Sequence, residues 1–331
     1  MKNKCFVSKI VDKDINYNKN YWIFFTAPLV LILAAIIVFA CCSFNFTFSF
    51  TGGKLITVDY SLTLTDEEYA EREKIVHRFV DELGIENYTI EKVGQNGAYN
   101  TVIKVITTEQ KKVSEETLQA LKTKVTEAFS ADSPGFEFSV ATSQPFAGNK
   151  VVVGFIVSLL LAMALAFFYI WFRNNIASAV SAIIGMVFTF AMTCAFAIIT
   201  RTPTDEYFIA VLLGVMIYTI IKAAFKFAST EKELIYNDNK SISNSDLMNL
   251  VRKETFGVNS LMDLCLFVVL VILMACGPNQ IRFIALHLLF GLISCVYVNV
   301  AIFASAWVRI YNRRKDKRLL EKQKTTKGQE K

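Results

Sequence analysis

WIFFTAPLVLILAAIIVFACC, residues 22–42, is an uncharged apolar run, and its place ahead of a long polar stretch decides the fold. A helix needs ~20 predominantly apolar residues to cross a hydrocarbon core, and this run supplies them once. The polar stretch is 43–150. Five further apolar blocks come after it, at about 151–172, 177–199, 207–228, 258–276 and 281–308. The order predicts a multi-span α-helical membrane protein of about six transmembrane helices, with a folded insert between the first and the second. It excludes a soluble enzyme and points to work done across a membrane.

Charge supports this layout. Hydrophobic residues make up 53% of the chain, above the roughly 45–50% of soluble domains, and the excess lies in the spans. The net charge of +6 is unevenly held. The insert has 11 Lys+Arg against 16 Asp+Glu, or −5, so the remainder is 6 − (−5) = +11. Such a split is expected when basic segments stay in the cytoplasm. No basic patch is interleaved with aromatics, so nucleic acid is not an expected partner. The cysteines, Cys5, Cys41, Cys42, Cys194, Cys265, Cys276 and Cys295, avoid the insert and show neither disulfide nor zinc spacing. They read as small apolar side chains. The first run is longer than a signal-peptide core and comes after a long charged leader, so it reads as an uncleaved helix. Val38-Phe39-Ala40-Cys41 loosely resembles a lipoprotein cleavage site, but Phe39 is bulky for it and the later spans make a lipid anchor redundant.

The insert has its own periodicities. Residues 54–62 alternate as a strand. Residues 65–83 read as a helix with a Thr65/Glu68 capping box. Its buried stripe is Tyr69, Arg72, Val76, Phe79, Val80 and Leu83, with Arg72 the imperfect member. Gly84 is placed to end it. Strands at 87–93 and 100–108 flank Gln95-Asn96-Gly97, a hairpin signal. A second helix runs from Ser114 to about Phe129 with Leu118, Leu121, Val125 and Phe129 on one face. Phe136, Phe138 and Val140 alternate as a last strand. The order β-α-β-β-α-β predicts an α+β, ferredoxin-like domain. No nucleophile–base or metal constellation stands out, and His77 reads as a surface histidine, so no enzyme activity, metal or cofactor is expected.

The domain reading is a cytoplasmic leader at 1–21, a first helix at 22–42, the insert at 43–150, helices two to six over 151–308 with a cytoplasmic loop at 229–257, and a basic cytoplasmic tail at 309–331. That tail carries 10 Lys+Arg against 3 acids, and the leader carries Lys2, Lys4, Lys9, Lys13 and Lys19. An even number of spans puts both basic ends on one side, which the positive-inside rule makes cytoplasmic. The insert is then extracytoplasmic.

At the join of first span and insert stands Phe44-Asn45-Phe46-Thr47-Phe48-Ser49-Phe50-Thr51-Gly52-Gly53. It resembles the "NFGIDFTGG" signature of the SecF family of protein-export subunits. Tyr169-Ile170-Trp171-Phe172-Arg173 reproduces that family's "YIWFR" at the end of span two, and Ala182-Ile183-Ile184 stands at its spacing. Gly291 to Ser305 resembles its last span, with Tyr297 at the family's tyrosine. Phe50, Thr51, Gly52, Gly53, Tyr169, Trp171, Arg173 and Tyr297 are the motif residues, read as structural: glycines for a tight turn, aromatics and Arg for a helix end at the interface. The resemblance implies a bacterial cytoplasmic-membrane subunit acting late in preprotein translocation or release. Its partners would be a SecD-like subunit, a SecY-centred channel, unfolded preprotein and membrane lipid.

The departures bear on energy coupling. Ser49 stands where the family has Asp. Ile217-Tyr218-Thr219-Ile220-Ile221-Lys222 aligns with part of "GYSLNDTVVVFDRIREN", so Lys222 takes the place of an intramembrane aspartate. The acid of the third span becomes Thr189. Those acids are the family's candidates for proton coupling, and their loss argues against coupling through this subunit. Two other readings stand beside export: a half-size proton-driven exporter of the resistance-nodulation-division type, and a non-transporting membrane scaffold. The candidate intramembrane polar residues are Lys222, Asp263, Thr189 and His287. Lys222 and Asp263 lie about fifteen and thirteen residues from the outer ends of their spans, depths that differ by ~3 Å at 1.5 Å per residue. A charge inside a span is costly and seeks a partner. Two outcomes are open on these depths: an ion pair between spans four and five, and snorkelling of Lys222 to the cytoplasmic surface, which its position permits.

Overall fold

The computed structural model describes residues 14–42, 44–47, 52–85, 88–95, 98–106, 115–131, 136–143, 149–205, 207–237 and 242–315. The motif residues Phe50 and Thr51, the Asn96-Gly97 turn signal and most of the basic tail lie outside them. The chain divides into two units, Phe46–Gly154 and a helical unit made of the remainder.

The first unit is a four-stranded antiparallel sheet and two helices. Its elements are β1 (Gly53–Asp59), α2 (Asp66–Glu82), β2 (Tyr88–Gln95), β3 (Ala98–Ile106), α3 (Glu115–Phe129) and β4 (Glu137–Ser143), with strand order β2-β3-β1-β4. That order with that succession is the ferredoxin-like topology. Gln95 pairs with Ala98, so the β2–β3 hairpin closes over two residues. The Thr65/Glu68 capping box forms as expected, and Gly84 takes a φ of 67° after the helix. The core joins Ile56, Val58 and Tyr60 to Tyr69, Val76 and Val80 of α2 and to Leu118, Leu121, Val125 and Phe129 of α3. Full burial of such a side chain contributes roughly 1.5–3 kcal/mol, enough collectively to hold a small sheet against two helices. Arg72 fits the stripe because its guanidinium lies over the rings of Tyr60 and Phe129, at 5.1 and 5.2 Å. Val140, on the edge strand, is exposed rather than part of the core. Gly52 (φ 68°) and Gly53 (φ 150°) adopt conformations that side-chain-bearing residues avoid, which accounts for the glycine pair at the entry to β1.

The helical unit contains α1 (Tyr21–Cys42), α4 (Asn149–Arg173), α5 (Ile176–Ile199), α6 (Tyr207–Tyr236), α7 (Asn244–Cys276) and α8 (Asn279–Tyr297). A π turn at Val298–Ile302 extends α8, and helix resumes over 303–315. Among the described residues, six helices are long and apolar enough to cross a membrane. α5, α6 and the last helix form the buried centre, whereas α1, α4 and α7 expose most of their apolar surface. Glycine permits the close approaches. A Cβ on Gly185 would sit 2.0 Å from the Phe303 ring, and one on Gly291 2.1 Å from Val215. Membrane helices pack closely through such small residues because lipid supplies no hydrophobic drive between them.

One expectation is corrected. The segment 229–257 reads in the sequence as a loop, yet α6 continues to Tyr236 and α7 begins at Asn244. At 1.5 Å per residue these helices are ~45 and ~50 Å long, well beyond a ~30 Å hydrocarbon core. They leave the apolar zone as helix. Polarity marks where lipid ends, not where a helix ends. Ser243, whose hydroxyl accepts from the Asp246 N–H, caps the start of α7.

Contacts at the two ends of the bundle are distinct. At one end Asn45 Nδ2 donates to the Arg201 carbonyl at 2.8 Å, the Thr204 N–H donates to the Asn45 carbonyl at 2.9 Å, and Phe44 meets Phe208. At the other, the leader docks on α7. Asn249 accepts from the Ile15 N–H at 3.0 Å and donates to its carbonyl at 2.9 Å, the Tyr17 N–H donates to Ser245 Oγ, and Asp14 pairs with Lys253 at 2.7 Å.

Candidate functional site

Charged and polar side chains converge where α6, α7 and α8 meet. Tyr218, Lys222 and Lys226 recur every fourth residue of α6 and so share one face. Asn259 and Asp263 have the same spacing on α7. Lys222 is buried at 1% side-chain exposure, and its Nζ lies 2.9 Å from Asp263 Oδ1. The same ammonium donates to the Asn259 carbonyl at 3.1 Å and stands 5.2 Å from the centre of the Tyr218 ring. The Tyr218 hydroxyl donates to Asp263 Oδ1 at 2.6 Å. Asp263 thus takes a proton donor and a cation from α6, and Lys222 takes its acceptors from α7. The two helices are cross-braced by a neutral couple. Lys222 does not snorkel.

A second lysine lies one turn further on. Lys226, 3% exposed, donates from Nζ to the Asn299 carbonyl. Asn299 sits in the π turn, where the N–H of Phe303 reaches back five residues to the Val298 carbonyl. A π turn shifts the backbone ladder, and the lysine supplies a donor there.

The remaining candidates do not join this cluster. Thr189 is buried, and its hydroxyl donates to the Gly185 carbonyl at 3.0 Å, one turn back in its own helix. That is the ordinary satisfaction of a hydroxyl in a membrane helix. His287 is buried near the opposite end, its Nε2 3.0 Å from Thr202 Oγ1 and its ring edge-on to Phe208. It ties α8 to the α5–α6 connection. Among the motif residues, Tyr169 and Arg173 bond to each other at 3.3 Å, Trp171 stacks on Phe172, and the Tyr297 hydroxyl donates to the Phe24 carbonyl at 2.9 Å. Tyr297 therefore fastens α1 to α8. Tyr218, Lys226, Asn259 and Asn299 escape the sequence reading, although the four-residue spacing to Lys222 and Asp263 is a usable signal for all but Asn299.

A model of the family described as "Protein export membrane protein SecD/SecF, C-terminal" matches residues 122–313. The chain belongs to the SecD/SecF family. Its similarity to protein translocase subunit SecF of Rhodobacter capsulatus is 23% identity over 304 residues, covering 89% of both chains. With protein translocase subunit SecDF of Bacillus subtilis it shares 23% identity over 296 residues, 89% of this chain but 38% of that protein. A crystal structure of SecDF in a super-membrane-facing form matches 94% of this chain with a TM-score of 0.67 at 19% identity, and this chain spans 40% of it. The chain thus corresponds to less than half of the SecDF proteins and to nearly all of a SecF. It is a divergent family member of SecF type.

Proposed function

We propose that this chain is an accessory subunit of a Sec-type export machinery, acting with a SecD-like partner and a SecY-centred channel. It would promote late translocation or release of preproteins across the bacterial cytoplasmic membrane. The observation that carries this reading is one chain combining a six-helix bundle with a ferredoxin-like insert after the first helix, at near full-length correspondence to a SecF. Correspondence to only 38% of a SecDF supports the need for a complementary half. The insert is proposed to lie outside the cell and both termini inside, on the basic character of the leader and tail.

Within this role the Tyr218–Lys222–Asp263 cluster is proposed to brace the bundle rather than carry protons. A relay needs a group that gains and loses a proton cheaply. Here each group is already engaged in bridging α6 and α7, Asp263 by the Lys222 ammonium and the Tyr218 hydroxyl, and Lys222 also by the Asn259 carbonyl.

The test is affinity purification of the full chain from crosslinked native membranes. Co-purification of a SecD-like protein supports the reading. Recovery only as a homo-oligomer overturns it. Orientation is tested by cysteines at Ser130, in the insert, and Tyr236, at the end of α6, in a background without native cysteines. A membrane-impermeant thiol reagent on intact cells should label the first and spare the second; the reverse result rejects the topology.

A further inference from the structure

Between α7 and the last helix lies a cleft of about 720 Å³. Leu264, Phe267 and Ile293 give it apolar walls. Most of its polar side chains are already satisfied. The hydroxyls of Thr255, Ser260 and Tyr297 donate to the carbonyls of Val251, Phe256 and Phe24. Lys226 is taken by the Asn299 carbonyl, Asp263 holds Lys222 and Tyr218, and Arg252 is engaged as well. The carboxamides of Asn259 and Asn299 are the exception. Their backbone carbonyls accept from Lys222 and Lys226, yet both Oδ1 atoms are buried with no hydrogen-bond partner among the described residues. Asn299 is only 6% exposed. A buried amide oxygen without a donor is costly, and folded proteins leave few of them. Two on the walls of one cleft call for donors from outside the chain.

Depth selects the donor. Asn259 is seventeen residues from the Cys276 end of α7, and Asn299 eighteen from Ile281, where the last span begins. Those offsets are ~26 and ~27 Å, inside a ~30 Å hydrocarbon core. Acyl chains carry no donors, lipid esters only accept, and the core holds no water. A neighbouring membrane helix is the remaining source, since hydroxyl and carboxamide side chains bond across helices in this way. α7 leaves most of its apolar surface exposed, so the cleft is reached from the lipid side. We propose that this cleft docks one membrane-spanning helix of the SecD-like partner, a helix bearing hydroxyl or carboxamide side chains at the depth of Asn259 and Asn299. Those side chains donate to the two asparagine oxygens, and apolar residues on the same face pack on Leu264, Phe267 and Ile293. A neutral donor fits better than an ammonium, because Lys226 and Arg252 line the same cleft. The identity of the partner rests on the export reading, in which a chain matching 38% of a SecDF needs a complementary half rather than a second copy of itself.

Site-specific photocrosslinking of the full chain, co-expressed with a tagged SecD-like protein in native membranes, tests it. A photoreactive residue is placed at Phe267 or Ile293 in the cleft and, as a control, at Leu160 on the exposed face of α4. The cleft positions should capture the SecD-like protein far more strongly than Leu160 does. If that protein co-purifies but is captured no better from the cleft than from Leu160, docking here is overturned and the export reading stands. Capture of only lipid, or of a second copy of this chain, has the same consequence. If no SecD-like protein co-purifies, both fall. The carboxamides are tested by Asn259→Leu and Asn299→Leu, which keep the side-chain size and the backbone carbonyls. Each should lower recovery of the SecD-like protein in mild detergent roughly threefold. The isolated chain should unfold at the same or a higher temperature, because an unpaired buried polar group has been removed. A lower unfolding temperature with unchanged recovery would mean that the carboxamides serve this chain's own fold, and overturns the proposal. Should a leucine variant not fold, the crosslinking decides alone.

Discussion

Lys222 and Asp263 stabilise one another and penalise the loss of either alone. Lys222→Met would leave Asp263, at 18% exposure, with Tyr218 and no counter-charge. Breaking a buried pair on one side typically costs ~3–5 kcal/mol, whereas replacing both partners by apolar residues is often nearly neutral. Lys222→Met should therefore lower the thermal stability of the purified protein more than Lys222→Met with Asp263→Leu. Equal stability in the two variants would reject the brace. Retained export by the double variant would argue further that no proton passes through it. In the insert, single residues set the response to acid. Glu68 is held below the usual carboxylate range by hydrogen bonds from the Thr65 backbone and side chain, and Glu82 by its bond to Lys124. A depressed folded-state pKa adds stability above the unfolded glutamate value of ~4.3 and loses it as pH falls. The insert should be fully stabilised at neutral pH and weaken in urea titrations as pH drops below that range. Thr65→Ala should cost ~1 kcal/mol at neutral pH and flatten the acid response.

Among the elements, the close crossing of α5 and the last helix is the most sensitive contact. Gly185→Ala places a methyl group 2.0 Å from Phe303 and 2.8 Å from Val298. The last helix carries the π turn and Asn299, so the displacement reaches the polar cluster. Overpacking of this kind costs typically 1–3 kcal/mol, and the loss should appear as a lower unfolding temperature. Phe303→Leu in the same chain should recover part of it by making room. No recovery would mean that the strain falls on backbone instead. The helical continuations of α6 and α7 have a simpler basis. Ser243 supplies a cap, and Lys232 pairs with Glu254 across the two extensions at 2.5 Å. Exposed pairs of this kind contribute little, so the cap and the packing of Leu247, Met248 and Val251 carry that region.

Across the whole molecule, segments far apart in the chain meet at one end of the bundle. The leader residues Ile15 and Tyr17 bond to Asn249 and Ser245, and Asn244 bonds to Asn312 of the last helix. Asn249→Ala leaves the Ile15 N–H without its acceptor and its carbonyl with only the 3.3 Å bond from Ser245 Oγ. Leaving a buried donor unsatisfied costs about 1–3 kcal/mol, less where it is half-buried as here, which should free the leader for part of the time. Trypsin should then cut at Lys19 several-fold faster than in the native chain, with the insert's digestion unchanged. Unaltered cleavage would mean that Tyr17, buried among α7 and the last helix, holds the leader by packing alone.

Local rules account for what the sequence determined by itself. Bilayer thickness sets the length of an apolar run, so six spans and an insert after the first were readable. The two-residue and 3.6-residue periods, with the capping box at Thr65 and the turn signal at Asn96-Gly97, were enough for the ferredoxin-like order. Depth along a straight helix depends only on residue count, and that count puts Lys222 and Asp263 at one level. What tertiary structure alone decided is which sides of the helices face one another. Thr189 lies inside a span as Lys222 does, yet its hydroxyl bonds back within its own helix, while His287 bonds to Thr202. Tyr218, Lys226 and Asn299 join the cluster because α6 turns one face toward α7 and α8. The extension of α6 and α7 past residues 228 and 258 was hidden for a related reason. Hydropathy reports the solvent a residue meets, and a helix that leaves the bilayer changes solvent without changing its backbone.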